Sequence, residues 1–437
     1  MQEPLGGPLS GVRVADFSRV LAGPYATMML ADFGADVIKV ESPAGDDTRQ
    51  WLPPVDEAGR STYFGSVNRN KRSVVLDLAD AAGLAEARRL ATSADVVIEN
   101  FRPGVMDRFE LDYAHVRAGN PGVVYCSITG FGTGEGASLA GYDLLVQAVG
   151  GLMSITGEPD GEPSKVGVAL VDVLTGQNAV AGILLALRER ERTGQGQLVE
   201  VNLLQSLLSA LTNQASSTLA TGVPPRRLGN EHPSIAPYAV FHAADRPLVI
   251  AVGNDKQFRA LAEVLGAPRR SSSARSERIE TTEGLDTALA GLLDRRVGLA
   301  DDPRFASNTD RVAHRAELRA AIEAALAAAS AAHWVDALAR AGVPAGLVND
   351  VAEAIAFAEG LGLEPVAEIA AGDDAGAGGL ETLAALAPRP AQGAAPRPAH
   401  VHRSIANPIG LSASRPRYRA APPALGEHDG ADWLPRA

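Results

Sequence analysis

The sequence predicts an α/β fold with a large Rossmann-like domain, built on a parallel sheet, and a smaller α+β domain. The first third of the chain alternates short β-branched runs with helical segments, which is the pattern of βαβ units. The character of the sequence changes near Pro224-Pro225-Arg226-Arg227, where a second domain is expected to begin. With 437 residues, of which 46% are hydrophobic, the chain is long enough to bury sizeable cores in more than one domain.

Five short strands and three helices make up the first part of the predicted sheet. The strands are expected at 12–16, 36–40, 73–78, 96–98 and 123–127. Pro24 suits the first turn of a helix that continues over 26–33 and ends at Gly34. Helices at 82–92 and 113–119 have the length that a crossover between parallel strands needs.

The middle of the chain is predicted to complete the large domain. The apolar stretch 168–171 is expected to be a strand that gives way, at Asp172, to a helix ending near Glu191. A strand at 198–201 and a helix at 203–219 are expected to follow.

The smaller domain is predicted to interrupt the large one. It is expected to contain a hairpin of 238–243 with 247–252 and a helix at 257–265. We expect the large domain to comprise residues 1–225 plus 345–437, and the small domain to comprise residues 229–344. Stretches rich in Ala, Gly, Ser and Pro at 271–275 and 370–400 are predicted to be loops.

Composition argues against several classes of function. Lys and Arg number 40 against 52 Asp and Glu, so the net charge of -12 provides no general basic field for nucleic acid or an anionic membrane. Polar residues interrupt the apolar stretches 166–187 and 201–225, so no membrane span is predicted, and the first residues do not resemble a secretory signal. We therefore predict a cytoplasmic protein. A single cysteine, Cys126, excludes an internal disulfide and a multi-thiolate metal site, and no metal site is predicted.

Asp172 is the most informative single residue, because it is the only charged residue between Lys165 and Arg188. A carboxylate taken out of water is unfavourable unless partners are supplied. One interpretation is a helix cap that satisfies free backbone N–H groups. The other is a nucleophile or general base at the carboxyl end of a strand, where open α/β sheets place their ligands. The residues alone leave both interpretations open.

A glycine-rich segment follows the strand at 123–127 and includes Gly130, Phe131 and Gly132. No Lys-Ser or Lys-Thr pair ends it and no clear helix opens at its third glycine, so neither phosphate-binding fingerprint is met. An active-site loop or a plain turn is expected instead.

Basic residues and one histidine are further candidates. The residues Lys71, Arg72, Arg102 and Arg108 lie near predicted strand ends. They are able to hold phosphate groups there or to remain solvated surface charges. His232, in the segment Gly229-Asn230-Glu231-His232-Pro233, either faces a site or braces a loop.

Many short motifs follow one another in a consistent order over nearly the whole chain. They are Leu9-Ser10-Gly11-Val12-Arg13-Val14, Ala22-Gly23-Pro24, Gly34-Ala35-Asp36-Val37-Ile38-Lys39-Val40-Glu41, Asn70-Lys71-Arg72-Ser73, Glu99-Asn100-Phe101-Arg102-Pro103-Gly104, Gly141-Tyr142-Asp143, Asp172-Val173-Leu174-Thr175-Gly176, Gly229-Asn230-Glu231-His232-Pro233, Pro237-Tyr238, Arg304-Phe305-Ala306-Ser307-Asn308 and Pro422-Pro423-Ala424-Leu425-Gly426-Glu427-His428. In number and order these segments resemble the family III CoA-transferases, which argues against a chance match.

The resemblance implies that Asp172 is the nucleophile of a covalent transfer of coenzyme A. A carboxylate that attacks an acyl-CoA thioester gives a mixed anhydride, and the released thiolate then forms an aspartyl-CoA thioester. The thioester energy is conserved, so the chemistry needs neither ATP nor a metal. Coenzyme A enters as the substrate thioester, and no permanently bound cofactor is expected.

The resemblance also carries over candidate contacts to coenzyme A and to the reacting groups. The CoA contacts are Val20, Leu21, Ala22, Leu76, Asn100, Phe101, Arg102 and Arg108, with Lys71 and Arg72 as additional phosphate ligands. The loops expected around the nucleophile contain Gly130, Phe131, Gly132, Tyr142, Gly229, Asn230 and His232. Family members form interlocked homodimers with the active site between domains, and the same is expected here. The segment 141–238 is most similar to the branch that uses succinyl-CoA with small dicarboxylates.

Two other functions are weighed against the transferase. The α-methylacyl-CoA racemases share the fold, but they pair the aspartate with a histidine at the position of Tyr142, and a phenol is a poor proton carrier near neutral pH. A non-catalytic CoA-binding subunit would not need Asp172 or its glycine loop. The transferase is therefore the favoured function.

Overall fold

The computed structural model describes residues 6–266, 298–370 and 401–436, which belong to two compact units. The large unit comprises Met1–Ser154, Ser164–Pro225 and Phe357–Ala437, and the small unit comprises Ile155–Pro163 and Arg226–Ala356. The predicted loop at 271–275, and the predicted loop at 370–400 apart from Ala370, lie outside the described residues.

A six-stranded parallel sheet forms the centre of the large unit. Its strands are β1 (Arg13–Asp16), β2 (Asp36–Glu41), β3 (Lys71–Val75), β4 (Val96–Glu99), β5 (Val124–Thr129) and β6 (Leu198–Asn202). The strand order is β3-β2-β1-β4-β5-β6, which is the order of a doubly wound Rossmann-type sheet. The predicted α/β class with a parallel sheet is confirmed.

Helices cover both faces of this sheet. They are α1 (Ala22–Asp32), α2 (Thr62–Val67), α3 (Ala81–Ser93), α4 (Tyr113–Gly119), α5 (Asp143–Val149), α6 (Leu152–Ile155), α7 (Leu170–Thr193), α8 (Leu203–Ala210) and α9 (Thr212–Thr221). Alternate residues of each strand point to opposite faces, so Val14 packs with α1 and α7 while the next residue, Ala15, packs with α3. Each face of the sheet therefore has its own apolar core.

Helix α7 combines length with an apolar composition. Both properties would suit a membrane-crossing helix, which the sequence did not predict. Helices in the cores of folded domains have the same length and composition. One face of α7, with Val171, Ala179 and Ile183, is fully buried against the sheet.

Three local predictions differ from the structure. The stretch 168–171 is not a strand, because Val168 is exposed and α7 already begins at Leu170. Strand β3 begins at Lys71, two residues before the predicted start. The predicted helix at 203–219 is two helices, because the chain turns at Thr212, which has a φ of 39°.

The small unit is an α+β structure with an antiparallel sheet of order β7-β8-β9. Its strands are β7 (Tyr238–His242), β8 (Pro247–Ala251) and β9 (Ala345–Leu347), and its helices are α10 (Asp255–Gly266), α11 (Asn308–Ala313), α12 (Arg315–Leu326) and α13 (Ala331–Arg340). Phe241, Phe305 and Trp334 lie in its core. The chain continues through α14 (Val351–Gly360) into the large unit, where β10 (Val366–Ala370) pairs antiparallel with β11 (Val401–Ile405).

The limits of the units differ from the predicted domains in two places. The segment from Ala345 was assigned to the large domain, but Ala345–Leu347 pairs with β8 and belongs to the small unit. The segment Ile155–Pro163 also belongs to the small unit, where the carbonyl of Gly157 accepts the N–H of Gly229 at 3.0 Å.

Candidate active site

Asp172 lies in the first turn of α7 and is partly buried. Burial, and then the negative charge of Asp143, raise the pKa of the Asp172 carboxyl to about 7. Among residues 6–266, 298–370 and 401–436, no hydrogen bond or ion pair reaches its carboxylate; the recorded bond at Asp172 is made by its backbone N–H. Asp172 therefore does not cap the helix, and an uncompensated carboxyl with such a pKa is typical of a reactive position.

Asp143 lies at the start of α5 and faces the beginning of α7. Its Oδ1 accepts the backbone N–H of Val171 at 2.8 Å and, more weakly, that of Asp172 at 3.3 Å. Two glycines fix the place of this helix: a Cβ on Gly130 would lie 2.4 Å from the Cα of Gly141, and a Cβ on Gly141 would lie 2.5 Å from the Cα of Gly130. The predicted glycine loop is thus held directly against the Gly141-Tyr142-Asp143 segment.

The loop before α1, which contains the predicted CoA contacts Val20, Leu21 and Ala22, is held in an unusual conformation. Val20 has a φ of 69°, which a β-branched residue rarely adopts, and its N–H donates to Asp46 at 3.2 Å. Asn100 bridges to the same loop, since its Oδ1 accepts the N–H of Arg19 at 2.9 Å and its Nδ2 donates to the Arg19 carbonyl at 2.7 Å.

Gly176 connects this loop with the helix of Asp172. A Cβ on Gly176 would lie 2.7 Å from the carbonyl oxygen of Ala22, so α1 and α7 approach closely at this point. Residues four apart lie on the same face of a helix, so Asp172 is one turn away from that contact. The 20–22 loop therefore lies against α7 one turn from Asp172, and Asn100 is bonded to Arg19, next to that loop.

Phe101 and Leu76, two further predicted CoA contacts, pack against one apolar cluster of the large unit. The N–H of Phe101 donates to Glu99 at 2.8 Å. Burial raises the pKa of the Glu99 carboxyl to about 7, although hydrogen bonds from Ser127 and Phe101 oppose the shift. Glu99 thus anchors the loop that follows β4.

Arg102 and Arg108 are exposed on the surface of the large unit, beyond the carboxyl end of β4. This edge of a parallel sheet is where open α/β folds bind ligands. A contact of either guanidinium with coenzyme A stays a prediction.

The assignment of Lys71 and Arg72 to phosphate binding is corrected by the structure. Lys71 is 1% exposed, and its ammonium donates to Asp16 at 3.1 Å, to the Pro24 carbonyl at 2.9 Å and to Asn68 at 2.9 Å, so no donor is left for a ligand. One terminal nitrogen of Arg72 donates to both carboxylate oxygens of Asp36 at 2.7 Å, and its other terminal nitrogen donates to the Asp432 carbonyl. Lys71 thus joins β3 to β1, α1 and Asn68, and Arg72 joins β3 to β2 and the C-terminal segment, so neither cation faces a ligand.

Tyr63, on α2, is a site residue that the sequence analysis missed. Burial first, and then the charges of Asp172, Asp143 and Asp46, raise the pKa of its phenol to about 12. The phenol is therefore a neutral O–H donor at physiological pH, and it lies within range of the Asp172 charge. No sequence signal places it there, because Tyr63 and Asp172 are far apart in the chain.

The loop with Gly229, Asn230 and His232 belongs to the small unit. Gly229 has a φ of 59° and is bonded to Gly157, and Asn230 is exposed. The Nδ1 of His232 accepts the N–H of Ser234 at 3.1 Å, so the histidine braces its own loop. Its place at the reacting groups stays a prediction, as do those of Gly229 and Asn230.

One group of possible metal ligands lies among the described residues: Asp107, Asp112 and His115. Asp107 and His115 are exposed, and the histidine bonds directly to Asp112. Exposed acidic groups of this kind are common on protein surfaces, so the cluster is not assigned a function.

Comparison with known proteins gives a consistent result. The profile of CoA-transferase family III matches residues 9–297 and 281–429. Succinate–glutarate CoA-transferase of Agrobacterium fabrum is 45% identical over 356 residues, which cover 80% of this chain and 82% of that protein. Acetyl-CoA:oxalate CoA-transferase of Acetobacter aceti is 43% identical over 351 residues, again 80% of this chain and 82% of that protein.

A solved structure shows the same similarity in three dimensions. The crystal structure of a CAIB/BAIF family protein from Brucella suis superimposes with a TM-score of 0.76 at 39% sequence identity. The match covers 97% of both chains, so it includes the segments of both units.

Proposed function

Because the chain belongs to CoA-transferase family III, we propose that it moves coenzyme A from an acyl-CoA donor to a small dicarboxylate through a covalent intermediate on Asp172. The observation that carries the proposal is the environment of Asp172, which is partly buried, has no cationic partner among the described residues, and has a pKa raised to about 7. A carboxylate with a raised pKa is a stronger base and nucleophile than one paired to a cation.

Each step of the transfer balances without an external reagent. An Asp172 oxygen attacks the thioester carbonyl carbon, the carbon–sulfur bond breaks, and CoA leaves as a thiolate with the electron pair. The thiolate then attacks the Asp172 carbonyl carbon of the mixed anhydride, and the donor acid leaves as a carboxylate. The acceptor carboxylate repeats the two steps in reverse and leaves as its CoA ester.

The surroundings of Asp172 support these roles for its neighbours. Tyr63 provides a neutral donor near developing negative charge, and backbone N–H groups of the glycine loop at 130–132 are further candidates for that task. The strained Val20 loop and Asn100 are proposed to position the CoA thioester beside α7. No step needs a metal or ATP.

The identity of the substrates is proposed from the similar proteins. One is named for succinate and glutarate and another for acetyl-CoA and oxalate, so the shared acceptor chemistry is that of a small dicarboxylate. Succinyl-CoA and acetyl-CoA are therefore the donors to test first, with glutarate and oxalate as acceptors.

A panel assay tests the proposal. The purified chain is incubated with each donor and with glutarate, malate, citramalate, itaconate, oxalate or carnitine, and the CoA esters are measured by mass spectrometry. We expect a new CoA ester of at least one dicarboxylate, with equimolar release of the donor acid. Transfer to carnitine alone, or no transfer at all, would overturn the proposed acceptor class.

A racemase is the second candidate, because it would use the same fold. Tyr142, at the position where the racemases carry a histidine, is 65% exposed, and no hydrogen bond joins its phenol to a described residue that would activate it as a base. Exchange of the α-proton of a branched acyl-CoA with deuterated water would show racemase activity. Binding of CoA without transfer or exchange would indicate a non-catalytic subunit.

The assembly is proposed to be an interlocked homodimer in the cytoplasm, with no nucleic-acid or membrane partner. Large apolar side chains remain exposed on helices α5, α7, α8 and α9 of the isolated chain, among them Leu145, Leu185, Leu208 and Leu219. Such a surface is typical of an interface with another protein chain. Light scattering should give twice the mass of the chain, and a monomer at assay concentration would contradict the dimer.

A further inference from the structure

Helix α7 begins without a cap of its own. Its N-cap position is Ala169, which has no side-chain acceptor for the free N–H groups of the first turn. Helices α2, α3 and α8 of this unit each carry a local acceptor; Asp80, for example, accepts the N–H groups of Ala82 and Gly83 at the start of α3. The helix that carries Asp172 therefore depends on another element for its capping.

Helix α5 supplies that cap from a distance in sequence. Asp143 Oδ1 accepts the N–H groups of Val171 and Asp172 at 2.8 Å and 3.3 Å. Asp143 Oδ2 accepts a hydrogen bond from Nε2 of Gln147 at 2.6 Å, and Oε1 of Gln147 accepts one from the N–H of Val166 at 2.9 Å. Two side chains one turn apart on α5 thus hold both ends of the segment 166–172.

We propose that Asp143 is a positioning residue of the transfer site, which fixes the backbone at Asp172 by capping α7 and keeps a second negative charge beside the nucleophile. This inference rests on the proposed covalent function of Asp172. A neutral cap would satisfy the same N–H groups, but it would not repel the Asp172 carboxylate.

The negative charge of Asp143 repels Asp172 before the covalent bond forms but not afterwards. While Asp172 is ionised, the two carboxylates repel each other, and this repulsion is the second contribution, after burial, to the raised pKa of Asp172. Both the mixed anhydride and the CoA thioester of Asp172 are neutral at this side chain, so the repulsion is absent from the covalent states. Asp143 therefore favours formation of the covalent bond. Among the described residues, Tyr63 on α2 also interacts with the charge of Asp172, and its phenol stays neutral over the pH range of interest because its pKa is raised to about 12.

Two variants separate position from charge. Asp143→Asn keeps an acceptor oxygen for the α7 N–H groups and removes the charge, whereas Asp143→Ala removes both. The measured quantities are the single-turnover rate at which the enzyme gains a CoA adduct from succinyl-CoA or acetyl-CoA, its pH midpoint, and amide hydrogen exchange of peptides covering 166–172. The control is Asp80→Ala, which removes a cap with the same two-bond geometry from α3.

We expect Asp143→Ala to slow adduct formation by about 100-fold, the loss that follows a misplaced reacting group, and to speed exchange over 166–172. Asp143→Asn should slow adduct formation less and should move the pH midpoint to lower values, because the Asp172 carboxylate then forms more easily. Asp80→Ala should change neither the rate nor the midpoint, although it removes a cap of the same kind. A wild-type rate, midpoint and exchange in Asp143→Ala would overturn the inference.

Failure of the proposed function gives a different result. If the wild-type enzyme itself forms no adduct with either donor, the covalent mechanism is wrong, and the catalytic role of Asp143 is wrong with it. If the wild type forms the adduct but both Asp143 variants match it, the mechanism stands and only the role of Asp143 is wrong.

Discussion

Two groups of carboxylates lie in the large unit, one buried and one partly buried, and they differ in whether a cation accompanies them. At the ends of β1, β2 and β3, Asp16 is bonded to Lys71 and Asp46 is bonded to Lys39. At the start of α7, Asp172 and Asp143 face each other with no cation bound to either among the described residues. The first group ties β3 to β1 and fixes the loop after β2, whereas the second group contains the proposed nucleophile.

The paired group shows how burial is compensated. Burial alone would raise the pKa of Asp46, but the charge and hydrogen bond of Lys39 and the hydrogen bonds of Thr48 lower it to about 2. Burial likewise opposes ionisation of Asp16, and Lys71 and Lys39 reverse that effect, so the pKa of Asp16 is lowered. Carboxylates of this kind are permanently charged at neutral pH and have little tendency to attack an acyl group.

The unpaired group shows the opposite balance. Burial and Asp143 act in the same direction on Asp172, so its pKa rises to about 7. The comparison teaches that a buried carboxylate is assigned to structure or to chemistry by its partners and not by its burial. Lys71 and Asp172 were both candidate site residues in the sequence. Lys71 is paired with Asp16, whereas the carboxyl of Asp172 has no cationic partner among the described residues.

The largest expected effect is that of Asp172→Asn on transfer. The Asn side chain is close in size to Asp but has no carboxylate to form the mixed anhydride. CoA transfer should therefore fall by more than about 10⁴-fold, as in other enzymes that lose their nucleophile. Steady-state assays with the best donor and acceptor from the panel measure this loss. Binding of CoA, measured by calorimetry, should be retained. Near-normal turnover of the variant would remove Asp172 from the mechanism.

The next largest effect should come from breaking the paired group with Lys71→Met. The change leaves the Asp16 carboxylate buried without its cation, so we expect a loss of about 3 to 5 kcal/mol in the free energy of unfolding. Urea denaturation measures it. The matched control is Arg89→Met, since Arg89 pairs with Glu86 and Asp432 at the surface and should contribute less than about 1 kcal/mol. Equal effects of the two substitutions would mean that the buried pair has no special structural role.

A smaller effect of opposite sign is expected for the stability of Asp172→Asn. The carboxyl of Asp172 has an ordinary pKa of 3.8 when unfolded and about 7 when folded. As the pH rises between these values, the unfolded chain loses the proton while the folded chain keeps it, so wild-type stability falls through this window. The variant lacks this loss and should be more stable than wild type by about 2 to 4 kcal/mol near pH 8.

The control for that prediction is the same stability comparison at low pH. Below about pH 3, Asp172 is neutral in both states, and the difference between variant and wild type should vanish. Denaturation curves at several pH values measure it. A variant that is less stable than wild type at pH 8 would show that Asp172 is favourably placed in the folded chain and is not held there for chemistry.

The sequence predicted the sheet well because each strand is a local β-branched run with a crossover helix after it, and five predicted strands overlap β1 to β5. Asp172 was also accessible to sequence reasoning, since a lone charge in a long uncharged stretch is a local signal. The same holds for the glycine loop, although only the structure shows that Gly130 packs against Gly141.

The rest of the site depends on contacts between distant residues. A sequence does not distinguish a buried lysine from an exposed one. The buried Lys71 is bonded to Asp16, which lies 55 positions earlier in the chain. Tyr63 and Asp143 reach Asp172 only through the packing of α2 and α5, for which no periodicity gives the partner. The strand predicted at 168–171 failed for a similar reason, because α7 already begins at Leu170 and the N–H of Val171 bonds to Asp143 of α5 instead of to a neighbouring strand.

The most direct test is to identify the covalent intermediate on Asp172. The enzyme is incubated with its acyl-CoA donor alone and examined by intact mass spectrometry and peptide mapping, with and without hydroxylamine. We expect a mass increase equal to CoA minus water on the peptide that contains Asp172, and inactivation by hydroxylamine only when the donor is present. Full transfer activity without an adduct at Asp172, and without sensitivity to hydroxylamine, would contradict the covalent role of this carboxyl.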